Sequence, residues 1–211
     1  MLACPKSNLN LGIQMKTAQE NPINLLKQWI LEERQAGAPN PQQAVLSTST
    51  AEKKPHSRVV AIREIDDNTL LFFTQKGTRK VRELEENPFA SITFWFELYQ
   101  RQVNIEGKIK TLTEEENKHY WQSYPREAQI RFHAYAPTST QPIQNKQKLE
   151  AKRKLIKEEY EDKKIPLNSY YCGFRLVIER MLFYAYRLDE LSDVYEFLLT
   201  NGEWSMQLLS P

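Results

Sequence analysis

The chain has 211 residues, 40% of them hydrophobic and 11% aromatic, which suits one folded domain with a sizeable core and excludes a disordered chain. Lys and Arg number 29 against 27 Asp and Glu, a net charge of +2 that gives no basic footprint for nucleic acid. No apolar run approaches a membrane span, and Cys4 and Cys172 make no C-x-x-C or His/Cys spacing, so neither a membrane protein nor a zinc site is expected.

Residues 1–20 are polar and unpatterned and read as a mobile tail, leaving 21–211 as a single domain. The tail has Lys6 near its start and no long apolar stretch, so it does not read as a signal peptide. With Cys4 in that tail a structural disulfide is not expected, and a reducing cytoplasm is the expected location. Asn21 and Pro22 are an N-cap and a first helical residue; Leu25, Leu26, Trp29 and Ile30 form the stripe that follows, and Gly37 and Pro39 end it. Strands are expected at 43–49, 57–65 and 69–74, the last two joined by Asp66-Asp67-Asn68. Gly77 leads into a helix at 78–86, ended by Asn87-Pro88. Phe89–Phe96 reads as a buried strand, with Phe94-Trp95-Phe96 as core, and 101–111 as a long strand.

Thr113-Glu-Glu-Glu116 is a capping-box pattern opening a helix towards Ser123, and a second short helix follows Pro125. Residues 136–145, with two prolines and several Thr, Ser and Gln, read as a loop; 146–162 read as a charged, solvated helix with Leu149, Ile156 and Tyr160 on a thin apolar side. Strands at 173–186, 193–199 and 203–208 complete the chain. The fold class expected is mainly β with surrounding helices, a small closed or split barrel.

Three segments carry the chemistry. Arg58-Val-Val-Ala-Ile-Arg63 is a β-branched run with an arginine at its head; Phe72-Phe-Thr-Gln-Lys-Gly-Thr-Arg-Lys80 is a strand running into a basic turn; Arg101-Gln-Val-Asn-Ile-Glu-Gly107 opens a third strand. Arg58, Arg79 and Lys80 can converge on one phosphate, each charge-assisted bond being worth roughly 1.5–3 kcal/mol. Two cations at a helix start are mildly unfavourable by themselves, which points to an anionic ligand. Thr74 and Gln102 add neutral donors and acceptors suited to a heteroaromatic ring. His56, His119 and His133 share no metal-ligand spacing, no serine or cysteine has a recognisable base partner, and a G-x-G-x-x-G or P-loop motif is absent.

In order and spacing these segments resemble the FMN-binding core of the pyridoxamine 5′-phosphate oxidase family, an FMN-binding split β-barrel, and the similarity runs from Asn21 to Pro211. The resemblance implies FMN contacts from the Arg58, Val59, Val60, Ala61, Ile62 and Arg63 strand, from Phe73 and Thr74, and from Thr78-Arg79-Lys80, which stands where the family has Ser-Arg-Lys. It also implies contacts from Gln102, Thr138, Ser139 and Tyr184, the last in place of the family's flavin-flanking tryptophan. It further implies a homodimer with FMN at the subunit interface, touched by both copies, and a reaction in which a hydride passes from an amine or alcohol carbon to FMN and then to oxygen.

The substrate half of the pattern departs from the family. Arg63 replaces a lysine, Tyr120 is kept, Tyr124 stands where an arginine is expected with Arg126 nearby as a substitute, and Ala128 replaces a serine. The family's Arg-Leu-His-Asp-Arg motif becomes Glu190-Leu-Ser-Asp-Val194, so Ser192 stands for the histidine and Glu190 for a substrate arginine. Three functions follow as expectations: oxidation of pyridoxamine or pyridoxine 5′-phosphate, FMN-dependent oxidation of another small molecule as in phenazine-type oxidases, or FMN binding without turnover. No individual catalytic residue is singled out.

Overall fold

The computed structural model describes residues 21–211, so the expected tail, with Cys4, lies outside the described residues. In chain order the elements are α1 (Pro22–Gln35), β1 (Gln43–Ser49), β2 (Pro55–Ile65), β3 (Thr69–Gln75), α2 (Arg79–Glu86), β4 (Phe89–Phe96) and β5 (Arg101–Thr111). Then come α3 (Glu114–Ser123), α4 (Arg126–Tyr135), α5 (Lys146–Glu159), β6 (Tyr171–Ala185), β7 (Asp193–Thr200) and β8 (Glu203–Leu209). The expected boundaries hold to within a few residues; the charged helix stops at Glu159 and β6 begins at Tyr171.

The strands form one antiparallel sheet in the order β3-β2-β1-β4-β5-β6-β7-β8, and pairing of β3 with β6 closes the first six into a barrel. β6 is long because it serves two partners in succession on one side: Tyr171–Val177 pair with β3, and Arg180–Ala185 pair with β7. Its other side pairs with β5 from Phe174 to Ala185, with a bulge where Glu106 gives way to Gly107. A side chain at Gly107 would put Cβ 2.0 Å from the Val177 carbonyl oxygen, so this close approach of two backbones requires glycine.

Two-residue alternation fills the barrel. Phe72, Phe94, Phe96, Phe183 and Ile105 are fully buried inside it. The expectation of a buried β4 is therefore corrected: Phe94 and Phe96 are core, but Trp95 between them is 45% exposed because the outer face of this part of the sheet is open. α1 plugs one end, with Trp29 edge-on to Phe183 and Phe96 at 5.2 and 6.2 Å. Arg101 lies over the Trp29 ring at 4.7 Å and bonds Glu32 at 2.5 Å, tying β5 to that helix. The Asn21 cap and the Thr113–Glu116 capping box both form as expected. A second apolar cluster, around Trp121, Ile130, Phe132, Ile156 and Tyr171, packs α3, α4 and α5 against the barrel wall. Cys172 is buried and free, and burial pushes its thiol up to about 12.

Candidate functional site

Strand β2 and the start of α2 bring Arg58, Arg79 and Lys80 to one cleft of about 640 Å³, which Thr78 and Ser139 also line. Arg58 is held from behind: Nη1 donates to Thr48 Oγ1 at 2.6 Å and to the Leu46 carbonyl at 3.3 Å, and Nη2 faces Glu83 Oε2 at 3.4 Å. Glu83 is 3% exposed, accepts the Thr48 hydroxyl, and lies 2.6 Å from His56 Nδ1. Burial pushes the Glu83 carboxyl up, but the Thr48 bond, His56 and Arg58 together outweigh it and hold the group below the usual carboxylate range. Lys80 Nζ donates to Thr74 Oγ1 at 3.0 Å; burial first, then the Arg58 charge, lowers its affinity for a proton. Burial also lowers Arg58, against the pull of Glu83.

The cleft is suited to a phosphate. Thr78 occupies the N-cap of α2, but its hydroxyl donates to the Gln75 carbonyl at 2.9 Å rather than capping the helix. The Val81 and Arg82 N–H groups bond the Thr78 carbonyl, at 3.0 and 3.2 Å, so the Arg79 and Lys80 N–H groups and the positive end of the helix dipole are left beside the three cations. An anion placed there meets the three cations and the free N–H groups and relieves the cations' mutual repulsion, while Glu83, already bonded to Thr48 and close to His56 and Arg58, opposes it.

The loop after α4 completes the wall. The buried Gln75 side chain donates to the Pro137 carbonyl at 2.7 Å and accepts from Ser139 N at 3.3 Å, setting Ser139 at the cleft. Thr138 does not share this role: its hydroxyl donates to the Tyr135 carbonyl at 2.7 Å and closes the end of α4. Thr140 lines the cleft with φ of +63°, a left-handed conformation costly for a β-branched residue and held by the loop.

The remaining expected contacts are dispersed. Val60 and Ile62 point into the core while Val59 and Ala61 face outwards, so the two buried residues offer a ligand only backbone. Arg63 falls at a register shift in β2 and lies over the Tyr124 ring at 5.3 Å. Phe73 stacks on Tyr171 at 4.9 Å within the helix-side cluster. Gln102 and Tyr184 face each other across β5 and β6, beside the exposed Trp95 and Tyr186. On β6, Tyr184 is twelve residues beyond Cys172, which pairs with Thr74. At ~3.3 Å per residue that is a path of roughly 40 Å along the strand, so one chain does not gather the two halves of the expected flavin site.

The substrate-side residues are likewise separated. The Tyr120 hydroxyl donates to Glu64 at 2.6 Å and accepts from Arg175 at 2.8 Å; burial and the Glu64 bond raise this phenol. Arg126 is not beside Tyr124 as a substitute ligand: its guanidinium caps the end of α5, donating to the Lys163 and Glu161 carbonyls at 3.0 and 3.1 Å and to that of Tyr160. Ser192 Oγ accepts from Arg187 N at 3.2 Å, and Glu190 pairs with the Arg187 guanidinium at 3.0 Å in the β6–β7 connection. Sequence reading missed Glu83, His56 and Gln75, all placed by tertiary contacts. Only Glu83 left a trace, as an acid one turn beyond Arg79 on the basic side of α2.

Comparison with known proteins gives the family and the fold. The family described as pyridoxamine 5′-phosphate oxidase matches residues 30–161. A pyridoxine/pyridoxamine 5′-phosphate oxidase of Psychromonas ingrahamii is 32% identical over 90% of this chain and 87% of its own, and one of Alteromonas mediterranea is 33% identical over 90% of each. Among solved structures, PhzG of Burkholderia lata 383, in complex with tetrahydrophenazine-1-carboxylic acid, superposes with a TM-score of 0.80 at 27% identity, covering 93% of this chain and 94% of that one. A pyridoxamine 5′-phosphate oxidase-related, FMN binding protein of Nostoc punctiforme has the same fold, with a TM-score of 0.74 at 17% identity over 93% of this chain and all of that one. With its split barrel, its cleft of three cations and a family match spanning more than half its length, the chain belongs to the pyridoxamine 5′-phosphate oxidase family.

Proposed function

We propose that the protein is a homodimeric FMN-dependent oxidase whose substrate is not a pyridoxine or pyridoxamine 5′-phosphate. The observation that carries the cofactor is the convergence of Arg58, Arg79 and Lys80 on one cleft at an uncapped helix N-terminus. Bound there, FMN supplies two-electron oxidation with oxygen as the acceptor. The protein's part is to hold the phosphate through those cations and Ser139, and to exclude water from the ring.

Dimerisation is supported by the separation between the phosphate cleft and the Gln102–Tyr184 patch, which a second copy would supply from the other side. It is supported too by an outward sheet face carrying Val59 at 61% and Val45 at 37% exposure, paired across β1 and β2, with Trp95 on β4. The altered substrate is supported by Glu190 and Ser192, both engaged with Arg187, and by Tyr124 and Ala128, which have lost the guanidinium and hydroxyl expected there. PhzG, solved with a tetrahydrophenazine carboxylic acid, is a relative of this fold that takes a non-pyridoxal ligand. The buried free thiol of Cys172 suits a reducing cytoplasm.

The purified protein is expected to be yellow and to release FMN, not FAD, on denaturation, and Arg79→Ala with Lys80→Ala is expected to strip it. Retention of FMN at unchanged affinity by the double variant would show that the phosphate lies elsewhere. A flavin-loaded monomer at micromolar concentration in sedimentation would refute the dimer. Flavin that no amine or alcohol reduces under anaerobic conditions would favour an FMN-binding protein without turnover.

A further inference from the structure

Helices α4 and α5 enclose a second cleft, of about 580 Å³, at the Tyr124 end of the helix-side cluster. Ala128, Arg131 and Tyr135 line it from α4 at a spacing of three and then four, one face of the helix; Leu149 lines it from α5. Two of its cations are already engaged, since Arg153 and Lys146 pair with Glu150 at 2.9 and 3.8 Å. Arg131 has no ion pair among the described residues.

Tyr124, which lines this cleft, packs on Tyr171, which does not line it; Tyr171 is 3% exposed, and its hydroxyl is buried and without a hydrogen-bond partner. Its ring is fixed by Phe73 at 4.9 Å, Trp121 at 4.9 Å and Tyr124 at 5.7 Å. A buried phenol left unpaired is costly and is found where a ligand or water completes it. Burial, then the neighbouring Tyr124 phenol, keeps Tyr171 protonated far above neutral pH, and burial raises Tyr135 to about 12, so both remain donors. The Arg63 and Arg131 charges act on these same phenols.

We propose that Arg131, Tyr135 and Tyr171 form a subsite for the carboxylate of a planar aromatic substrate, a reading that rests on the altered-substrate oxidase above. A guanidinium fork matches a carboxylate in two parallel bonds, and the two phenols supply the remaining donors. Tyr124, Ala128 and Leu149 give the ring an apolar wall. A phosphate dianion is disfavoured because Glu150 lines the same cleft and its repulsion grows with the ligand's charge.

The test is calorimetric titration of the full chain, both apo and FMN-loaded, with 1-naphthoate and with 1-naphthyl phosphate. Naphthoate is expected to bind both forms, and Arg131→Gln to weaken it roughly 10- to 100-fold. Tyr135→Phe and Tyr171→Phe should each weaken it several-fold, while FMN affinity stays as in the parent. Failure of naphthoate to bind, unchanged binding by Arg131→Gln, or tighter binding of the naphthyl phosphate would each overturn the subsite. If the parent protein fails to take up FMN, the cofactor reading fails, and the apo titration still decides this one.

Discussion

Replacing Glu83 by glutamine tests whether a buried carboxylate holds Arg58, the arginine proposed to bind phosphate, in place. The change keeps the volume and removes the charge. In the parent this group accepts the Thr48 hydroxyl, lies 2.6 Å from His56 and faces Arg58 at 3.4 Å, with 3% of its surface exposed. The Arg58 contact is long, so most of the loss comes from His56 and Thr48. Two charge-assisted bonds weakened at roughly 1.5–3 kcal/mol each, with the amide recovering part, give about 2–4 kcal/mol of lost stability. For a domain of this size that is a fall of roughly 4–16 °C in the melting midpoint of the apoprotein.

Arg58 loses its orienting partner as well, so FMN affinity should fall about tenfold. The pH dependence carries a sign of its own. Glu83 titrates lower in the folded than in the unfolded chain, so its contribution is complete above the ordinary glutamate range and is lost as pH falls through the folded value. The acid limb of the parent's stability curve should therefore be steeper than that of Glu83→Gln. Scanning fluorimetry of apo and loaded protein from about pH 2 to 8 (from below the ordinary carboxylate range to above that of histidine), with flavin-fluorescence titration, measures all three effects. A melting midpoint, acid limb and FMN affinity all indistinguishable from the parent would refute the reasoning.

Three further outcomes are expected. Gly107→Ala, with its Cβ driven to within 2.0 Å of the Val177 carbonyl, should destabilise by about 3 kcal/mol or more in urea unfolding, and a cost under about 1 kcal/mol would mean the bulge relaxes freely. Arg126→Ala should cost about 1 kcal/mol through its lost carbonyl contacts and leave substrate KM unchanged, whereas a raised KM with unaltered stability would return Arg126 to the substrate site. Turnover of pyridoxamine 5′-phosphate should be feeble, because two lost charged contacts at roughly 1.5–3 kcal/mol each weaken binding by about two to four orders of magnitude; ordinary turnover would show that other residues rebuild that site.

The elements were readable because their signals are local: the Asn21 cap, the Thr113–Glu116 capping box and the Asn87-Pro88 stop each act within a turn or two of chain. Arg58, Arg79 and Lys80 could be grouped because their spacing follows from a strand and a helix start. What spacing cannot supply is the partner across the fold. Arg126 and Tyr124 are two residues apart, yet one reaches the end of α5 while the other packs against Arg63 and Tyr171. Thr138 and Ser139 are adjacent, and only the second lines the cleft, because Gln75, 64 residues away in the chain, holds its amide. Trp95 was grouped with its core neighbours because aromatic composition does not reveal which face of a strand stays open.

Closure of the barrel by β3 and β6 has a consequence for how the chain is made. Thr74 meets Cys172 across 98 residues of sequence, so the ring cannot close until its last member has left the ribosome. Until then β3 and β5 present bare hydrogen-bonding edges, and the three helices made in the interval have only an open sheet to pack against. Synthesis at about 5–20 residues per second leaves that open sheet waiting for several seconds, exposed to pairing with other nascent chains. Truncations that end before Tyr171 should therefore accumulate as aggregates rather than as smaller folded barrels, and chaperone dependence should be greatest for chains arrested in the α5 segment.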